Sequence, residues 1–206
     1  MLKLGNGNLI KPKIIVARHG ETSMNYRGEL QGRSDGEGAK LNLKGIQQAG
    51  NLAVFCASHF INQIICSPLG RAVETAQIVG NQIGIEPTTD DRLIEMDFGD
   101  LEGRLKKEMQ MQLPDLSSVC LDYRYPNGES YAELYQRVKD FAEDYDFENL
   151  EGRVLLVARS HTNRILRAPL LGKNPADYLT KKQSNNEVVI INPKEKSERK
   201  ISLDQN

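Results

Sequence analysis

The sequence predicts an α/β fold: a single-domain three-layer sandwich, with a mostly parallel sheet, helices on both faces and a short cap insertion. Three observations predict it. Four short segments are rich in β-branched residues and lack strict apolar/polar alternation, as strands buried on both faces do. Apolar patterns with a period near 3.6 fall between them, and alternating strands and helices build a helix-covered parallel sheet. The length, 206 residues, exceeds a domain of about 150 residues by too little to make a second one. A globule of this size hides about 70% of its unfolded surface, so its core needs no covalent staples.

The elements follow in order. Ile14-Ile15-Val16-Ala17 is the first strand, and Leu43 to about His59 is a helix carrying Ile46, Ala49, Leu52, Ala53, Phe55 and Cys56 at a period close to 3.6. Ile61 to Cys66 is a strand, and Arg71 to Ile83 a helix with Ala72, Thr75, Ala76, Val79 and Ile83 in phase. From about Gly103 to Gly128 the rhythm breaks, so residues 104–128 are expected to form the cap insertion with at most a short helix. Ser130-Tyr131-Ala132-Glu133 is a capping box, because Ser accepts an orphan amide while Glu reaches back, and predicts a helix to about Tyr145. Val154 to Ala158 and Glu187 to Ile191 complete the strands. The tail, about 194–206, opens with a mixed charge run from Lys194 to Lys200 and is expected to be solvated and partly frayed.

Composition narrows the partners. With 27 Lys+Arg against 28 Asp+Glu the net charge is −1, which supplies no global field for nucleic acid or an anionic membrane. Apolar runs are too short to span a bilayer. The start, Met1 to Asn8, is polar and Gly-rich with no stretch resembling a secretion signal, so a cytoplasmic location is expected. Cys56, Cys66 and Cys120 are an odd count with no close pair, expected to pack rather than bridge. Cys56 and His59 lack two further ligands, so zinc is not expected. Monomer and homodimer fit the sequence equally.

Two strands end alike. Ile14–Ala17 runs into Arg18-His19-Gly20 and Val154–Ala158 into Arg159-Ser160-His161, which places both histidines at the carboxyl edge of a parallel sheet, where such folds bind ligands. Ile61–Cys66 runs into Ser67-Pro68-Leu69-Gly70-Arg71. Proline suits a helix start, whereas a first-turn arginine opposes the helix dipole and calls for an anion partner. Arg18, Arg71 and two histidines on one edge describe a local phosphate pocket, since guanidinium forks match phosphate oxygens.

The order of motifs, Arg18-His19-Gly20-Glu21-Thr22 with Asn25, Leu30 to Asp35, Cys66 to Ala72 with Glu74-Thr75-Ala76, Leu93 to Gly99 with Glu102-Gly103, and Ser160-His161, resembles the histidine phosphatase superfamily, also called phosphoglycerate-mutase-like. It covers about Lys13 to Ile191. The resemblance implies that His19 is the nucleophile that takes a phosphoryl group, with water releasing phosphate. It implies that Arg18, Asn25, Arg71 and His161 hold the phosphate oxygens, helped by backbone amides if a helix starts after His161. Glu95 occupies the general-acid position, where a raised pKa suits a proton donor. By the residues alone, Asp97, Asp100 and Glu102 stand equal with it. Gln31 aligns with a substrate-contacting position. No metal and no cofactor are implied.

One residue departs from the pattern: Thr162 follows the second histidine where glycine is usual, a position that can need φ > 0, while its hydroxyl can donate to phosphate. The short insertion favours phosphatases over mutases. The expected function is therefore metal-independent hydrolysis of a small phosphorylated metabolite. The alternatives are a cofactor-dependent phosphoglycerate mutase and an inactive phosphate- or phosphoprotein-binding member. Lys106, Lys107, Tyr123, Arg124 and Tyr125 are candidates for a second anionic or aromatic substrate group.

Overall fold

A computed structural model describes residues 13–109, 113–147 and 152–204. The amino-terminal segment read above for a secretion signal lies outside them, as do residues 110–112 of the insertion and the last two of the tail. The described elements are β1 (Lys13–Arg18), α1 (Ser23–Arg27), α2 (Leu43–Ser58), β2 (Gln63–Cys66), α3 (Gly70–Ile83), β3 (Thr88–Thr89), α4 (Tyr131–Asp144), β4 (Arg153–Ala158), α5 (Ser160–Leu171), β5 (Glu187–Asn192) and β6 (Ser197–Ser202).

The sheet order is β3-β2-β4-β1-β5-β6. Because successive strand side chains point to opposite faces, β1 is shared between two cores. Ile14 and Val16 pack with Leu134, Val138 and Phe141 of α4 and Ile165 and Leu166 of α5. Ile15 and Ala17 pack with Leu52 and Ala53 of α2 and Ala72, Ala76 and Val79 of α3. Burial on both faces explains why these strands show no alternation in sequence.

The caps follow the sequence. Asn42 accepts the Gly45 amide at 2.8 Å to start α2. At the head of α4, Ser130 Oγ takes Glu133 N at 3.2 Å while Glu133 Oε2 takes Ser130 N at 2.9 Å. In the insertion Lys106–Glu108 form one short 3-10 turn, and Met109 and Tyr125 are buried against the α4/α5 core.

Three expectations need correction. The strand β5 runs antiparallel to β1, so only β1, β2, β3 and β4 make the parallel part. The charged tail is not frayed up to Ser202: it forms β6, an antiparallel edge strand on β5. Its charges find partners, with Glu198 accepting both Arg167 Nε and Nη2 at 2.7 Å and Lys200 lying 3.2 Å from Glu187; charged side chains on an edge strand also discourage further pairing. Cys56 and Cys66 are buried as expected, but Cys120 is exposed on the insertion.

Candidate active site

The strands β1 and β4 are parallel neighbours with Arg18 opposite Ala158, and the parallel pair β2/β4 brings the start of α3 to the same edge. His19 is fully buried. Its Nδ1 lies 2.7 Å from Gly20 O; a carbonyl only accepts, so Nδ1 carries the hydrogen and Nε2 presents a lone pair. That Nε2 is buried and has no hydrogen-bond partner. Glycine at position 20 is required, because a Cβ there would sit 2.3 Å from Gly45 O. Burial first, then Arg71, Arg18 and Arg159, holds the His19 pKa well below the usual histidine range, so the ring is neutral at neutral pH.

Arg71 does not lie on the surface as a first-turn arginine ordinarily would. It is buried, its Nη1 and Nη2 donate to Ser34 O at 2.9 Å and Gly32 O at 2.6 Å, and its Nε has no partner. The Asp35 carboxylate takes Gly70 N, supplying the anion that the α3 N-terminus favours. Arg18 donates through Nη1 to Gln183 O at 3.4 Å, and its Nε is likewise unpartnered. Burial and the neighbouring Arg159 lower the Arg18 pKa to about 9 and that of Arg71 to about 10. Crowded buried cations of this kind favour an anion among them.

Glu95 is fully buried and caps α5: it accepts His161 N and Thr162 N at 3.3 Å each, and Met96 N at 2.7 Å. Arg159 Nε is 3.8 Å away. Burial alone raises its pKa, but His161, Arg159, the Met96 amide and Arg71 together outweigh burial, and the net shift is downward. The raised pKa expected beside a bound phosphate dianion concerns the complex; in the ligand-free chain the carboxylate occupies the helix amides that were expected to face phosphate. Thr162 is buried in ordinary helical backbone, with Oγ1 2.9 Å from Ile94 O and 3.3 Å from Glu95 Oε1. Its hydroxyl is turned to the Glu95 segment rather than to an open phosphate position.

The other three carboxylates are elsewhere engaged. Asp97 accepts Gly99 N at 2.8 Å and Asp100 accepts Asn127 Nδ2 at 2.9 Å. Glu102 accepts Arg33 N, Ser34 N and Ser34 Oγ between 2.8 and 3.0 Å, which staples the loop whose carbonyls hold Arg71. Gln31 is fully buried, its Oε1 accepting Asn25 Nδ2 at 3.2 Å and Thr22 Oγ1 at 3.3 Å. Asn25 is the third helical residue of α1, in a capping box with Thr22.

Beside these groups a cavity of about 480 Å³ is lined by Arg18, Phe98, Lys106, Arg159, His161 and Arg164, among others. His161 stands half-buried in its wall, its ring 5.1 Å edge-on from Phe98 and 6.1 Å from Tyr131. Burial, then Arg164, lowers its pKa to about 3. His19, Arg71 and Glu95 are buried and are not among the residues that line it. A cavity of about 510 Å³ between α4 and α5, lined by Tyr135, Lys139 and Lys173 among others, contains neither histidine.

Sequence reasoning missed Arg159 and Arg164, although both flank Ser160-His161; nothing local showed that they turn inward. Of the insertion candidates Lys106 reaches the cavity, whereas Arg124 bonds Gly128 O and Glu133, and Tyr123 and Tyr125 pack edge to face. The remaining histidine, His59, stacks on Phe55 at the end of α2. Among the described residues no three His, Cys, Asp or Glu side chains converge to hold a metal ion, and no helix is long and apolar enough to cross a membrane.

A family model described as histidine phosphatase superfamily (branch 1) matches residues 14–205. A probable phosphoglycerate mutase of Salmonella arizonae is 39% identical over 130 residues, 61% of this chain and 59% of the relative. The chain therefore spans about three fifths of the length of the curated relatives it matches. Among solved structures, the alpha-ribazole phosphatase of Shigella flexneri superposes with a TM-score of 0.75 at 27% identity, over 94% of this chain and 96% of that one. A mycobacterial glucosyl-3-phosphoglycerate phosphatase superposes with a TM-score of 0.77 at 23% identity, over 87% and 92%.

Proposed function

The chain belongs to the histidine phosphatase superfamily, and from that premise we propose that it hydrolyses phosphomonoesters of small metabolites without a metal, through a phosphohistidine at His19. The observation that carries this reading is the His19 ring: neutral, fixed by its Nδ1 hydrogen on Gly20 O, with an unpartnered Nε2 amid guanidiniums.

Nε2 attacks phosphorus, a P–N bond forms, and the P–O bond to the leaving alkoxide breaks. Arg18, Arg71 and His161 hold the transferring oxygens, where positioning and charge stabilisation supply most of the catalysis. Asn25 is oriented for the same task by Gln31, which acts through Asn25 rather than on the substrate. Glu95 gives the proton to the alkoxide. It is ionised in the free chain, and an arriving phosphate dianion opposes that charge and raises its pKa, so Glu95 becomes a donor in the complex. Water, relieved of its proton by the same carboxylate, then cleaves the P–N bond and returns His19. Thr162 steadies Glu95.

A second reading, phosphoglycerate mutase, is favoured by the 39% identity to the Salmonella protein of that description; it requires interconversion of phosphoglycerates faster than phosphate release. The test is phosphate release from p-nitrophenyl phosphate and a monoester panel in EDTA, wild type beside His19→Ala. The hydrolase reading expects turnover that falls to background in the variant. Equal turnover in both, or none in either, overturns it.

A further inference from the structure

Six cationic side chains line the cavity, and the one ionised carboxylate near them besides Glu187 is Glu95, 3.8 Å from Arg159 Nε. Arg18 and Arg159 lie on the side of the buried His19; Lys106, Arg164, Lys182 and Lys200 complete the wall. The lining holds one carboxylate, Glu187, and it is already neutralised by Lys200 at 3.2 Å and capped by Ser184 N at 2.8 Å. Arg164 is held in place by bonds from Nη1 to Leu179 O and from Nη2 to Ser160 Oγ at 2.7 and 2.8 Å, while its buried Nε has no partner. The buried Nη1 of Arg159 has none either. Burying unpaired cationic donors is costly unless an anion is bound among them.

We propose that this cavity takes a second anionic group of the substrate, a carboxylate or a further phosphate, between Arg164, Lys106 and Lys182, making the preferred substrates small phosphomonoesters with a negative charge at the far end. The inference rests on the hydrolase reading above. It sets apart simple neutral-alcohol phosphates, which leave these cations unmatched.

Three monoesters with the same three-carbon chain test it: propyl phosphate, 3-(phosphonooxy)propanoate and propane-1,3-diol bisphosphate. At pH 7, kcat/KM for at least one of the two doubly anionic esters is expected to exceed that for propyl phosphate by tenfold or more. Which one gains identifies carboxylate or phosphate. Lys182→Ala and Lys106→Ala, both at exposed positions that the fold tolerates, are each expected to cut this preference by about tenfold, the loss of one charge-assisted hydrogen bond. Hydrolysis of all three esters at equal kcat/KM, or a preference untouched by both substitutions, overturns the subsite while leaving the hydrolase intact. No hydrolysis of any ester, p-nitrophenyl phosphate included, overturns both.

Discussion

Two adjacent strand ends, Arg18-His19-Gly20 after β1 and Arg159-Ser160-His161 after β4, look like copies in the sequence and differ in the fold. After β1 the chain turns into a loop, Gly20 passes beneath Gly45, and His19 is buried with one nitrogen committed to a carbonyl. After β4 the chain enters α5 at once, so His161 sits in the first turn, mostly buried in the cavity wall, while Glu95 takes the helix amides. A loop can bury its histidine as a fixed lone pair, whereas a helix start presents its histidine beside a carboxylate. The same residue type thus receives two environments from two backbone exits.

The largest expected effect separates the two rings. His19→Ala removes the attacking atom and abolishes turnover, whereas His161→Ala, which removes one oxygen ligand, lowers kcat by about a hundred- to a thousandfold in steady-state assays. Losing both activities equally breaks the distinction. Glu95→Gln is next: the loss of the proton donor costs about 10² to 10⁴ in rate for alkyl phosphates and much less for p-nitrophenyl phosphate, and equal losses with both esters remove Glu95 from that role.

Stability against pH sharpens the comparison differently. The His161 pKa is depressed to about 3 in the folded chain, while an unfolded histidine binds a proton below about 6.5. The unfolded state therefore holds more protons in that window, and stability falls as pH drops from about 6.5 toward 3. Urea midpoints for His161→Asn should decline less over pH 6.5 to 4 than those of the wild type; identical slopes count against this account. Smallest is Ser160→Ala, which frees Arg164 Nη2 from its 2.8 Å acceptor. It should raise KM for the preferred doubly anionic ester about fivefold, a cost near 1 kcal/mol, with little change in melting temperature.

Much of this molecule is legible residue by residue. Period and capping are local properties, so Leu43, Ser130 and Val154 announce their elements within a few positions. Pairing direction is not local: Glu187–Ile191 reads as a buried strand whichever way it runs, and only its neighbours decide that β5 is antiparallel. The charge run from Lys194 to Lys200 is ambiguous for the same reason, since Arg167 and Glu187, which receive its charges, lie elsewhere in the chain.

The sequence by itself determined the alternating elements, the capping box at Ser130 and the placing of both histidines at one sheet edge, because each depends on spacing along the chain. Only the tertiary structure decided that Glu95 accepts the amides of α5 beside Arg159, that Thr162 faces Glu95, and that Arg159, Arg164 and Lys106 converge on one cavity. Burial and Coulomb interactions act between groups distant in sequence, and their balance exists only once those groups are brought together.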